Sequence, residues 1–120
     1  MRRGVVLCIG SDPLNLNLRS ALLKDCGWNV IAAGRGHEGV FRFSEGNVHA
    51  VAIDLDDDGS EAALITAELK RLRPHVPVIM IVTDPKTLAE GATQQADVVL
   101  LKADEARLLH ETLKKLVRPS

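Results

Sequence analysis

The chain has no tyrosine, two phenylalanines and one tryptophan, an aromatic share of 2% in 120 residues. With Trp28, Phe41 and Phe43 the only aromatics available for packing, the core must be built from Val, Ile, Leu and Ala, and aliphatic, β-branched cores suit parallel strands buried under helices. It has only two cysteines, Cys8 and Cys26. They have neither the density of a disulfide scaffold nor metal-ligand spacing, so both read as small, reduced core residues. Neither charge is in excess: 15 basic and 16 acidic residues leave a net charge of −1, which is no nucleic-acid footprint. There is no long apolar run either. The basic start Met1-Arg2-Arg3 leads only into Val5–Ile9 before Gly10-Ser11-Asp12, too short for a signal-peptide core or a membrane span. With no repeat, low-complexity tract or linker, residues 1–120 read as one cytoplasmic domain that contacts neither nucleic acid nor membrane itself.

What is present is a set of short apolar blocks. Val5-Val6-Leu7-Cys8-Ile9 and Val78-Ile79-Met80-Ile81-Val82 are continuous rather than alternating, which marks strands buried on both faces. Ala50-Val51-Ala52-Ile53 and Val98-Val99-Leu100-Leu101 read the same way, and Asn29-Val30-Ile31-Ala32 is a fifth. Asp12-Pro13 starts a helix, with an N-cap carboxylate before a proline at the first helical position. Leu14, Leu18, Ala21 and Leu22 are its expected apolar stripe, and Gly27 its stop. Ser60 is the expected cap of a second helix, burying Ala63, Leu64, Ala67 and Leu72 and ending before Pro74. A last helix from Asp104 to Leu116 carries Leu108, Leu109, Leu113 and Leu116. Shorter helices are expected over Gly39–Ser44 and Thr87–Gln94, and Gly34-Arg35-Gly36-His37-Glu38-Gly39 as a strand-to-helix loop. Five strand–helix units in succession force a parallel, doubly wound sheet, because each strand returns through a right-handed crossover.

In such sheets chemistry gathers beyond the carboxyl ends of the strands. There the chain places Gly10-Ser11-Asp12, then Asp54-Leu55-Asp56-Asp57-Asp58-Gly59, then Thr83-Asp84, then Lys102. Crowded carboxylates need a cation, a proton or a lysine in order to coexist. Asp54 with Lys102 is the evident pair, and a hard divalent ion such as Mg²⁺ the other candidate partner. Elsewhere, His37, His49, His75 and His110 are scattered without zinc spacing. Gly34-x-Gly36-x-x-Gly39 matches a dinucleotide-loop string but follows the wrong strand, and reads as turn glycines. No nucleophile–base arrangement suggests a hydrolase.

These blocks, in this order, resemble the receiver domain of two-component response regulators, the CheY-like, flavodoxin-like (βα)5 fold. The resemblance implies a three-layer sandwich with strand order 2-1-3-4-5. It places Asp54 on the phosphoacceptor position, Lys102 on the phosphate-binding lysine, and Thr83 next to the hydroxyl position after the fourth strand. It implies a histidine kinase or phosphotransfer protein as partner, and an interface, homodimeric or otherwise, on the last two strand–helix units. An effector domain after Ser120 is a further expectation of the resemblance, and a natural end there the alternative.

The departures from the family pattern bear on mechanism. The acidic pair that holds Mg²⁺ falls on Gly10 and Ser11, leaving Asp12, Asp54 and Asp56 as the candidate ligands. The proline after the phosphoacceptor is Asp58, the proline after the lysine is Ala103, and the switch aromatic is Val99. Phosphoryl transfer depends on positioning and on metal neutralising the oxygens, so the loss of two metal ligands weakens it. Two readings stand: a phosphorelay receiver with Asp54 as acceptor and at most self-catalysed phosphoryl transfer, or a phosphorylation-independent module for protein interaction or dimerisation.

Overall fold

The computed structural model describes residues 3–55 and 58–117. Five strands, β1 (Val5–Gly10), β2 (Asn29–Ala33), β3 (Ala50–Asp54), β4 (Val78–Val82) and β5 (Val98–Leu101), form one parallel sheet. Its order is β2-β1-β3-β4-β5, with the reversal of winding beside β1, as the doubly wound reading requires. Four helices cover it: α1 (Pro13–Asp25), α2 (Gly36–Glu45), α3 (Ser60–Leu72) and α4 (Glu105–Leu116).

The continuous apolar strands serve two cores because successive side chains point to opposite faces. Leu7, Ile9, Val51, Ile53, Val78 and Met80 pack under α2 and α3 with Phe43 and Leu69. Val6, Cys8, Ala52, Ile79, Ile81 and Leu100 pack under α1 and α4 with Leu16, Leu23, Leu109 and Leu113. Every residue of β3 and β4 is buried, which is the physical content of an unalternating run.

Several local expectations are corrected. The helix expected over Thr87–Gln94 is absent. Pro85–Thr87 form a single 3₁₀ turn, and Ala92, Gln94 and Ala96 each bond back three residues. Gly91, at φ +78°, interrupts any longer helical run. The fourth crossover therefore has no α-helix. The glycine-rich loop is shorter than expected, because α2 already begins at Gly36 and Gly39 lies within it. A Cβ on Gly39 would collide with Ile9, so this glycine lets α2 lie close on β1. At the start of α3 the cap position is Gly59 rather than Ser60. Two helices are also turned from their expected faces. Leu14, Leu18 and Leu22 of α1 are exposed and Leu16, Arg19, Ser20 and Leu23 are buried. On α3, Leu64 and Leu72 face solvent, while Ala62, Thr66 and Leu69 are buried. Among the described residues no helix is long and apolar enough to cross a membrane.

Candidate functional site

Asp54 ends β3, and the parallel register sets it beside Gly10 at the end of β1. The amide of Ser11 donates to the Asp54 carbonyl at 3.4 Å. The Asp54 side chain is almost wholly buried, 8% exposed, and its Oδ2 receives two cations. Lys102 Nζ, from the turn that follows β5, lies at 3.0 Å. Arg19 Nη2, from the buried face of α1, lies at 2.8 Å. The Asp54–Lys102 pair is therefore formed as the strand ends suggested, and a second cation joins it.

Arg19 had no role in the sequence reading, nor had Glu105, the first residue of α4. The guanidinium donates through Nη2 to Glu105 Oε1 at 2.8 Å and through Nε to Oε2. Its side chain is 1% exposed. Such burial opposes the charge, but the bonds to Glu105 and then to Asp54 outweigh it and raise the arginine above its usual range. Four ionised groups thus meet at one end of the sheet, two acids and two bases, drawn from β3, α1, the turn after β5, and α4.

Of the candidate metal ligands, Asp12 and Asp54 each have other partners. Asp12 is the N-cap of α1, with Oδ1 accepting from the Leu14 amide at 3.1 Å and Oδ2 from the Asn15 side chain at 2.9 Å. Asp56 lies outside the described residues. Asp58 is exposed and accepts from the Ser60 amide at 3.0 Å, and Ser60 holds its carboxyl below the usual value. A hard divalent ion needs several oxygen ligands, chiefly carboxylates. Among the described residues no group of three or more His, Cys, Asp and Glu is placed to hold a metal. A Cβ on Gly10 would stand 3.5 Å from Arg19 Nη1, so a guanidinium faces the position where the family pattern has a metal-binding acid. The described residues do not fit Mg²⁺.

Thr83 lies just past β4, exposed, and lines a small pocket with Asp54, Leu55, Gly59, Val82 and Leu88. Val82, in the register where the resemblance expects the hydroxyl, is buried in the core. Val99, at the switch-aromatic position, is 41% exposed on β5.

No family model matches the chain. Curated relatives do match, two of them as follows. The transcriptional regulatory protein ZraR of Salmonella typhimurium is 26% identical over 92% of this chain and 25% of its own length. GlrR of Escherichia coli is 31% identical over 75% of this chain and 20% of its own length. The chain thus spans about a quarter or less of these relatives. Among solved structures, the response regulator TrrA of Thermotoga maritima, in complex with Mg²⁺ and BeF, superposes with a TM-score of 0.85 at 21% identity, over 98% of this chain and all of TrrA. TrrA in complex with the histidine kinase ThkA superposes with a TM-score of 0.83 over the same share of both chains. The chain is thus similar in sequence to part of the response regulators ZraR and GlrR, and its fold is that of response-regulator receiver domains.

Proposed function

We propose that this receiver domain acts in two-component signalling as an interaction module whose output does not depend on phosphorylation of Asp54. One observation carries the reading: the Asp54 carboxylate is already bound by Arg19 and Lys102, and among the described residues no group of three or more His, Cys, Asp and Glu is placed to hold a metal. Transfer to a buried aspartate requires a metal to neutralise charge on the incoming phosphoryl oxygens. Gly10 and Ser11 supply no carboxylate to hold one, and Val99 supplies no aromatic partner to a strand-four hydroxyl.

The surface supports a contact function. Leu14, Leu18 and Leu22 of α1 are 66%, 58% and 47% exposed and follow one another at one-turn spacing, which makes an apolar ridge facing solvent. Contiguous exposed apolar surface marks partner sites. TrrA has been captured with a histidine kinase, and a histidine kinase or phosphotransfer protein is the partner class we propose for this ridge. Homodimerisation through the last two strand units is a second reading. It is favoured by the missing fourth helix, which accompanies exposed Val99 and Leu101 on edge strand β5. ZraR and GlrR are transcriptional regulatory proteins, and control of transcription is the proposed output of the pathway.

The test is intact-mass analysis after incubation with acetyl phosphate and Mg²⁺, with Asp54→Ala alongside. The expected result is no adduct on either protein and no change in melting temperature on adding Mg²⁺. A phosphoryl adduct on the wild type that is missing from Asp54→Ala would overturn the reading in favour of Asp54 as a working acceptor.

A further inference from the structure

We propose that Arg19 is a built-in replacement for a divalent metal ion: its guanidinium occupies the charge position beside Asp54 permanently and excludes the metal. The inference rests on the phosphorylation-independent reading and assigns a cause to it.

The first argument is position. Arg19 Nη2 contacts Asp54 Oδ2 at 2.8 Å. Nη1 stands 3.5 Å from where a Cβ on Gly10 would be, and Gly10 is the residue paired with Asp54 across the β1–β3 ladder. The guanidinium therefore spans the acid that is present and the position whose acid is missing. A side chain at position 10 would project at this guanidinium. The lack of one and the placement of Arg19 are thus two halves of a single arrangement. Nη1 is buried and, among the described residues, has no hydrogen-bond partner, which is what remains when a donor faces a residue with no side chain.

The second argument is charge. Asp54 and Glu105 against Arg19 and Lys102 sum to zero, so the cluster presents no net negative charge to attract a cation. A divalent ion entering here would shed much of its hydration while facing two fixed cations at short range. Repulsion of that kind is poorly screened in a buried site. The third argument is permanence. A bound metal exchanges with solvent, whereas Arg19 is fixed on a helix, and Glu105 and Asp54 together hold its charge despite burial. The charge that a dissociable Mg²⁺ ion would bring to such a site is here constant.

The experiment compares Mg²⁺ binding, by calorimetry and by melting temperature, in three proteins. These are the wild type, the double variant Gly10→Asp/Ser11→Asp, and the triple variant that adds Arg19→Gln. The expected result is no binding by the wild type and none by the double variant, in which the restored carboxylates pair with Arg19 instead. The triple variant should bind Mg²⁺ at least about tenfold above the detection limit that the double variant fails to reach and should melt higher when Mg²⁺ is added. If the triple variant fails to melt cooperatively, the same contrast is read with Glu105→Gln added to both multiple variants, which removes the acid that Arg19→Gln leaves unpaired. Equal Mg²⁺ affinity with and without Arg19, or a folded triple variant that binds none, overturns the inference and leaves the phosphorylation-independent reading intact. Mg²⁺ binding by the wild type would sink both.

Discussion

Arg19 of α1 grips Glu105 of α4 at two points, Nε to Oε2 and Nη2 to Oε1, while the same Nη2 also reaches Asp54. A fork-on-carboxylate pair of this kind is directional and strong, and it links β3 to both helices on one face of the sheet. Loss of Arg19 would leave Glu105, 15% exposed, without its forked partner and Asp54, 8% exposed, with Lys102 alone.

The first prediction ranks the two cations. Arg19→Ala is expected to cost about 3–5 kcal/mol, the usual penalty for breaking a buried pair from one side. Lys102→Ala should cost about 1 kcal/mol or less, because this side chain is 30% exposed and Asp54 keeps its arginine. Urea midpoints at constant slope measure both. Equal losses would show that Lys102 holds the cluster as firmly as Arg19 does.

This ranking also shows where sequence reasoning stopped. Asp54 and Lys102 were legible because one ends a strand and the other directly follows one, and in a parallel sheet strand ends converge. Arg19 was not, because its partners are 35 and 86 positions away and the cost of burying it is offset only by them. A local trace existed: Arg19 stands three residues from Leu16 and four from Leu23, on a single helical face. However, α1 carries leucines on its other face too, so Leu14, Leu18 and Leu22 made the more regular stripe and misplaced the core. On α3, Thr66 is fully buried between Ala62 and Leu69, and the larger Leu64 and Leu72 again drew the stripe outward. The sheet was readable because its strands are apolar on both faces and phase does not matter. Helices need phase, and these two owe theirs to tertiary partners.

Cysteine chemistry supplies a second prediction. Burial, the largest influence, pushes the Cys8 thiol up to about 12, which leaves almost no thiolate near neutral pH. Cys26 is only partly buried. Iodoacetamide followed by peptide mass analysis should label Cys26 in the native protein and Cys8 only after unfolding. Comparable native labelling of both would mean that β1 opens locally far more often than its burial implies.

A third prediction concerns Gly59, which adopts φ +86° at the start of α3. A Cβ there would stand 2.9 Å from the Ala92 Cβ and 3.0 Å from Leu88 Cδ2. Gly59→Ala therefore combines left-handed backbone strain, about 1–2 kcal/mol, with a clash against the segment that replaces the fourth helix. A loss of about 2 kcal/mol or more is expected in urea unfolding. A neutral result would show that the segment over residues 88–92 yields freely.

The last prediction is a pH dependence. The Trp28 indole N–H donates to Nδ1 of His110 at 2.9 Å, which requires that nitrogen to be unprotonated. Burial first, then Arg3 and Lys114, lower the His110 pKa below its ordinary 6.5. With the folded value below the unfolded one, the unfolded chain binds the proton more readily. The contribution to stability is therefore complete above pH 6.5 and is lost as pH falls from there through the folded pKa. Melting temperature should drop across that window in the wild type and drop less in His110→Gln, which cannot titrate. The single tryptophan gives a second readout, because protonation removes the acceptor from its indole and should shift its emission in the wild type alone. If both proteins lost stability in parallel as the pH fell, the dependence would belong to other groups and the Trp28–His110 bond would be insensitive to pH.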